Sequence, residues 1–400
     1  MSWEKGMNLN NVSTIICSSH VFFGVGAIEK VDFIAQQLKE KGINSVIAVT
    51  GSTSYIKTGA WGYLTKALDK HGIRCSLYNK VSANPTTQHV DEAAKMALDT
   101  GAKAVIAIGG GSPIDVGKSV AVLMKYPGRT CREALEKKFV IEKAAPIVAI
   151  NLTHGTGTEV NRFAVLSIPE KEYKLAIATE HIYPMYSIND PALMTSLSAE
   201  QTIYVSIDAL AHMVESTSTT LNNPLTMTLA KEVVTLVAKY LPRAMEDPGD
   251  ITARYFLAYA AMISGISFNN GMLHFTHALD HPVVAMKPDL PHGLILSVLM
   301  PRVLEEVYPV RSQILADVLK PVVPGLSGEP GEAKKAADGL RAWLKTLGVT
   351  QRMGDIGFTK ADVPRLTELV FETPGLQMLL DCAPVDNGKE VVEKLYLESF

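Results

Sequence analysis

An α/β domain built on a parallel sheet, followed by an all-helical domain, is the fold this sequence predicts. Three observations predict it. In the first half, short β-rich runs alternate with amphipathic segments of helical length. After about residue 197 the strand signature gives out and long helix-compatible stretches take over. A length of 400 residues also exceeds one typical domain. The expected domains are 1–197 and 198–400, joined near residues 191–198.

Taken in order, residues 45–50 (SVIAVT) read as a buried strand, 57–71 as a helix and 73–78 as the next strand. Residues 88–100 read as a helix, 104–108 (AVIAI) as a strand, 114–124 as a helix and 147–150 as a strand. Strands separated by helices require crossovers, hence a parallel sheet. Beyond the join, 199–217, 225–241, 251–268 and 294–307 read as helices. Charged amphipathic segments near 331–346 and 387–398 extend the helical domain.

The composition, 47% hydrophobic and 20% charged, is that of an ordinary globular protein with apolar residues enough for two cores. A formal net charge of −3 gives no electrostatic reason to expect nucleic acid or an acidic membrane surface. Cys17, Cys75, Cys131 and Cys382 are far apart and form no Cys-x-x-Cys pair, which argues against a thiolate zinc site and a disulfide scaffold. The start, MSWEKGMNLNN, lacks the pattern of a secretory leader, and no apolar run approaches a membrane span. The expectation is a cytoplasmic protein.

The strand at 104–108 runs directly into Gly109-Gly110-Gly111-Ser112 and then Pro113-Ile114-Asp115-Val116-Gly117-Lys118. Strand, glycine cluster, helix start is the order an anion site needs. Glycine lets backbone approach phosphate, and the helix start presents unpaired N–H groups. A plain tight turn would also use glycines. The string is neither Gly-x-Gly-x-x-Gly nor a Walker loop. A second loop, Thr153-His154-Gly155-Thr156-Gly157-Thr158, follows the next strand and could line the other side of a pyrophosphate. Asn84-Pro85-Thr86 is a third candidate, by itself only a turn.

Within 85 residues the chain then places Asp208, His212, His277, His281 and His292. Asp208 and His212 are four apart, as are His277 and His281, so each pair projects from one helix face. His292 lies in Pro291-His292-Gly293, read as a turn. Imidazole and carboxylate together suit zinc, iron or a similar first-row ion. A lone Asp–His pair on a helix is more often a surface hydrogen bond, and a buried His can be satisfied by one carbonyl. Spacing alone leaves open which of the five stays uncoordinated. His274, one turn before His277, is read as a pocket residue, and His154 as a pocket or solvent contact.

These motifs together resemble the iron-containing, or group III, alcohol dehydrogenase family over nearly the full length. The marks are Phe23-Gly24-Val25-Gly26-Ala27, Asn84-Pro85-Thr86, GGGSPIDVGK at 109–118, Gly155-Thr156 with Glu159-Val160, and Asp190-Pro191. Asp208-Ala209-Leu210-Ala211-His212, His277-Ala278-Leu279-Asp280-His281-Pro282 and Pro291-His292-Gly293 complete them. The resemblance implies a Rossmann-like α/β domain plus an all-α domain, the dehydroquinate synthase-like architecture. It implies reversible hydride transfer between NAD(P)(H) and a small primary alcohol or aldehyde, with iron(II), or zinc, on the substrate oxygen. Asp208, His212, His277 and His292 would be the metal ligands and His281 the uncoordinated proton relay. Gly110, Gly111 and Ser112 would hold the pyrophosphate, with Asn84, Asp115, Thr153, Thr156 and Lys174 as further cofactor contacts. Phe268, with Phe163 and His274, would line the substrate pocket, and together with Met272 they favour short primary alcohols. Homodimers or larger homo-oligomers are implied.

The chain departs from the family at Asn151-Leu152, Asn161 and Ser198, and around 287–290. At the end of the 45–50 strand many NAD-using relatives place an Asp that binds the adenosine ribose. Here Gly51 is followed by Ser52, Thr53, Ser54 and Lys57. That string resembles the loop of NADP-using relatives, so the expectation is NADP(H). The rivals are a glycerol dehydrogenase-like or dehydroquinate synthase-like enzyme, and a non-catalytic metal-dependent assembly protein.

Overall fold

The computed structural model describes residues 13–400. The start on which the leader-peptide expectation rests, MSWEKGMNLNN, lies outside the described residues. By contacts the described chain divides into an α/β unit, Cys17–Ser198 with Asp247–Met262, and a helical unit, chiefly Ala199–Glu246 with Ile263–Phe400. The first segment of the α/β unit ends at Ser198. The segment 247–262 is the difference: it follows the helical unit in sequence yet packs in the α/β unit.

Eight strands are present among the described residues: β1 (His20–Phe23), β2 (Ser45–Gly51), β3 (Arg74–Val81), β4 (Ala104–Gly109), β5 (Ile147–Asn151), β6 (Phe163–Ile168), β7 (Tyr173–Ala178) and β8 (Tyr186–Asn189). Six form one parallel sheet in the order β1-β8-β5-β4-β2-β3. The other two, β6 and β7, form an antiparallel hairpin. β2, β4 and β5 are continuous Val/Ile/Ala runs because both of their faces are covered. Alternate residues go to opposite cores. Ile47, Val49, Val105 and Ile147 join one cluster, while Val46, Ile106, Val148 and Ile188 join another. The crossover helices include α1 (Val31–Glu40), α2 (Ala60–Lys70), α3 (Thr87–Asp99) and α4 (Gly111–Leu123).

The strand order positions the loops that the sequence singles out as candidate sites. From β2 the chain runs outward to β3, then returns to β4 on the other side of β2. The two loops leaving β2 and β4 therefore diverge, which is where open α/β sheets bind ligands. Thr50 pairs with Ile108, Gly51 with Val81 and Gly109 with Asn151. The loops that begin near Gly51, Asn84, Gly110 and Thr153 thus leave the same sheet edge side by side.

The longer helices that follow are α5 (Ala199–Ser218), α6 (Pro224–Glu246), α7 (Ile251–Gly271), α8 (Phe275–Met286), α9 (His292–Leu319), α10 (Ala333–Thr346), α11 (Val363–Glu372) and α12 (Lys389–Leu397). Against the sequence expectation, α7 is long and apolar enough to cross a membrane by length and composition. Most of its apolar window is buried inside the protein.

Candidate active site

In the helical unit, α5 carries Asp208 and His212, α8 carries His277 and His281, and α9 opens on His292. Pro291 is the N-cap residue of α9, so His292 is its first helical residue, where the sequence suggested a turn. Proline is tolerated at such a start because the first N–H groups have no helical partner.

Three imidazoles converge on one oxygen. Asp208 Oδ1 lies 3.3 Å from His212 Nε2, 3.6 Å from His277 Nε2 and 3.5 Å from His292 Nε2. Ligand-capable atoms of Asp208, His277 and His292 all lie within 4.8 Å of one another. His212 stands outside that tightest trio but stacks on His277 with ring centroids 4.9 Å apart. Asp208 and His277 are buried, and neither Asp208 Oδ1 nor His277 Nε2 has a hydrogen-bond partner among the described residues. Buried polar atoms without partners are costly, so such a group calls for an occupant. One carboxylate and three imidazoles around one point fit a divalent first-row ion.

Behind these four side chains stand groups that the sequence did not single out. Glu215 Oε2 makes a short contact with His277 Nδ1, and its Oε1 accepts the Thr276 amide at 2.6 Å. Asp280 Oδ1 lies 2.9 Å from His292 Nδ1. A carboxylate on one ring nitrogen fixes the ring and leaves the other nitrogen to ligate. Glu215 had a signal: with Asp208 and His212 it makes an i, i+4, i+7 face. Burial opposes charge on Glu215, yet His277 and His274 hold its carboxyl down at about 2. Burial likewise works to lower His277, but Glu215 and Asp208 hold it up at about 9, whereas burial takes His212 down to about 4. A divalent ion would displace the His277 proton.

His281 lies buried one helical turn beyond His277 and is not part of the converging trio. Phe268 stacks on His212 at 4.3 Å. His274 was expected to line the pocket. It is fully buried, with Nδ1 3.3 Å from Glu215 Oε1 and Nε2 2.8 Å from Ser218 Oγ, so it supports the Glu215 carboxylate. Phe163 begins β6 in the α/β unit, so the three expected pocket residues do not form one group in either unit.

In the α/β unit, Gly110 is the N-cap of α4, ahead of Gly111 and Ser112. A Cβ on Gly110 would lie 2.8 Å from the Thr153 methyl, and one on Gly111 would lie 2.7 Å from the Thr156 methyl. The second loop therefore presses on the first, and only glycine fits there. Free N–H groups of the first turn remain for an anion.

Asn84 holds a left-handed φ of 49° three residues beyond the end of β3, a conformation Asn tolerates better than most residues. Gly51, Ser52 and Ser54 follow β2, the two serines exposed. Lys174 is buried on β7.

Asp115 departs from the expected cofactor contact. Its Oδ1 accepts from Thr158 Oγ1 at 2.6 Å and its Oδ2 from the Val165 amide at 3.0 Å, so both oxygens face protein. Burial pushes its carboxyl up, and it pushes the neighbouring Lys118 ammonium down to about 8. His154, expected as a pocket or solvent contact, is also buried. Its Nε2 lies 3.0 Å from Arg254 Nη1, and burial takes it down to about 3.

Residues 18–191 match the family model described as iron-containing alcohol dehydrogenase. Residues 202–400 match the one described as the C-terminal part of that family. Over 398 residues, all of both chains, the sequence is 52% identical to the long-chain primary alcohol dehydrogenase of Thermoanaerobacter ethanolicus. Among solved structures it resembles an archaeal halo-thermophilic alcohol dehydrogenase from a Red Sea brine pool. The TM-score is 0.90 at 27% identity, covering 98% of this chain and 100% of that one. It also resembles the NADH-dependent butanol dehydrogenase A of Thermotoga maritima, with a TM-score of 0.86 at 26% identity, covering 97% and 98%.

Proposed function

The chain belongs to the iron-containing alcohol dehydrogenase family, and from that premise we propose an NADP(H)-preferring, iron(II)-dependent enzyme acting on primary alcohols and their aldehydes. Alcohol–aldehyde interconversion with a nicotinamide cofactor is the family's chemistry. The choice of metal, the cofactor preference and the residue roles go beyond family membership. The convergence of three imidazoles on Asp208 Oδ1 carries the metal site and its ligand roles.

Asp208, His212, His277 and His292 would hold the ion. Bound there, it supplies Lewis-acid activation of the substrate oxygen. Zinc fits the same donors and usually binds more tightly at equal availability. Glu215 and Asp280 orient His277 and His292. Phe268 gives the His212 side an apolar wall that excludes water. His281 passes the alcohol proton onward, as a general base next along the helix from a ligand.

The sequence favours short alcohols through Phe163, Phe268 and Met272. The 52% identical relative is named for long-chain primary alcohols, and a chain-length series of primary alcohols at saturating cofactor tests both. A homo-oligomer, also proposed, finds support at β1, the edge strand of the sheet among the described residues, where His20, Phe22, Phe33 and Tyr186 form an aromatic cluster. Light scattering checks it.

NADP(H) preference rests on the loop after β2. Residues 51–58 contain no carboxylate, and Ser52, Ser54 and Lys57 are exposed there. Hydroxyls and an ammonium suit a 2′-phosphate, which a carboxylate would repel. Gly51→Asp should weaken NADP⁺ at least about tenfold, roughly 1.4 kcal/mol. A Cβ at position 51 would lie 3.3 Å from Val81 O, so Gly51→Ala measures the steric part alone. Comparing kcat/KM for NADP⁺ and NAD⁺ in the three proteins decides it. A wild type that strongly prefers NAD⁺ overturns this part of the reading.

A further inference from the structure

Lys118 sits two turns into α4, past the glycine turn, with no exposed surface. An isolated ammonium cannot be buried cheaply, and this one is densely bonded. Its Nζ donates to Thr158 Oγ1 at 2.7 Å, to Phe163 O at 2.8 Å and to Asn161 O at 2.9 Å, with Asn161 Oδ1 at 3.2 Å. An ammonium has three protons, so three of these acceptors suffice to satisfy it. One turn earlier, Asp115 binds the same segment through Thr158 Oγ1 and the Val165 amide. The hydroxyl of Thr158 accepts from Lys118 and donates to Asp115. One face of α4 thereby grips residues 158–165 at successive points.

The gripped segment leads back to the nucleotide turn. The Thr158 amide donates to Thr156 Oγ1 at 3.4 Å, and the Thr156 methyl is the group that presses on Gly111. At the other end, the Thr153 amide donates to Asn151 Oδ1 at 3.2 Å. Asn151 Nδ2 donates to Asn189 Oδ1 and Asn189 Nδ2 to Glu159 Oε1, both at 2.8 Å. The loop that walls the glycine turn is held from beneath at both ends by buried polar side chains. At the Lys118 end the holding group is charged and stands beside two buried carboxylates, Asp115 and Glu159.

We infer that Lys118 is a positioning residue for dinucleotide binding: through Thr158 and Asn161 it sets the height of Thr156 against Gly111, and so the width of the turn that receives the pyrophosphate. It touches neither cofactor nor substrate in this role. Its loss should raise the dissociation constant of the dinucleotide while sparing the metal centre. This inference rests on the dinucleotide reading proposed for these loops.

The test is fluorescence titration of NADPH and NADH into metal-loaded wild type and Lys118→Met, with circular dichroism melts and metal content measured alongside. A folded Lys118→Met should bind the dinucleotide at least about tenfold more weakly, raise KM for the cofactor more than KM for the alcohol, and keep its metal. Thr158→Val keeps the ammonium and nearly the same volume but removes the bridging hydroxyl. It should show the same split in smaller degree, and it stands as the test if Lys118→Met does not fold. Wild-type dinucleotide affinity in a folded Lys118→Met, or in Thr158→Val when that is the only folded variant, overturns the inference. A wild type that binds neither dinucleotide overturns the proposed function instead.

Discussion

At the scale of single residues, the four proposed ligands and the relay differ in what they should lose. His277 Nε2 faces Asp208, and its Nδ1 is held by Glu215. Removing the ring strips one donor and leaves the buried Glu215 carboxylate facing a void, a costly combination. His277→Ala should therefore lose most of its metal and nearly all turnover. NADPH binding, proposed for the loops of the α/β unit, should persist. His281→Ala should keep its metal but turn over about 10²–10⁴-fold more slowly, the usual worth of general acid–base help. Metal analysis beside kcat separates the two. A metal-free His281→Ala would mean that His281 is a ligand and that the set of four is wrong. The i, i+4 spacings on α5 and α8 made these side chains visible in the sequence. Glu215 and Asp280 were harder to see, because a carboxylate that orients a ligand has no spacing rule of its own. The direction of His274 was also invisible, since its helix face could equally have opened on a pocket.

At the scale of elements, runs such as SVIAVT and AVIAI were legible because strands buried on both faces must be apolar throughout. β1, β8 and the β6–β7 hairpin were not. β1 and β8 are four residues each, and in β7 (YKLAIA) the buried and exposed positions mix. Pro291-His292-Gly293 read as a turn because proline and glycine punctuate loops as well as helix starts. In the structure Gly293 has a packing purpose. A Cβ there would overlap Tyr204 O, a backbone atom that cannot swing aside, so α9 crosses α5 in close contact next to His292. Gly293→Ala should push the two helices apart and separate His292 from Asp208. Overpacking of this kind costs about 1–3 kcal/mol and occasionally more. The variant should melt lower than wild type and bind metal more weakly. Normal metal affinity in a destabilised Gly293→Ala would show that the α5–α9 contact does not set the ligand geometry.

At the scale of the whole molecule, the order of an α/β half and a helical half was legible, but the return of residues 247–262 to the α/β unit was not. Periodicity identifies a helix and one buried face; it does not say which core receives that face. The start of α7 is claimed by Arg254, whose guanidinium is fully buried and donates to Leu197 O and Pro248 O while meeting His154. The two proposed ligands of this enzyme consequently act on different units. All four proposed metal ligands lie in 199–246 and 263–400, and all eleven expected cofactor contacts lie in 17–198. A ligand that binds only the folded state stabilises it by about 2.7 kcal/mol at a concentration 100 times its dissociation constant. Amide exchange in that part of the molecule slows accordingly where opening is local. Adding iron(II) or zinc to chelated protein should slow exchange in α5, α8 and α9 and raise the melting temperature. NADPH should slow it in the loops after β2, β4 and β5. In His277→Ala the metal effect should vanish and the NADPH effect remain. Metal protection spread evenly over β2–β5, or surviving in His277→Ala, would place the ion somewhere other than the Asp208 cluster.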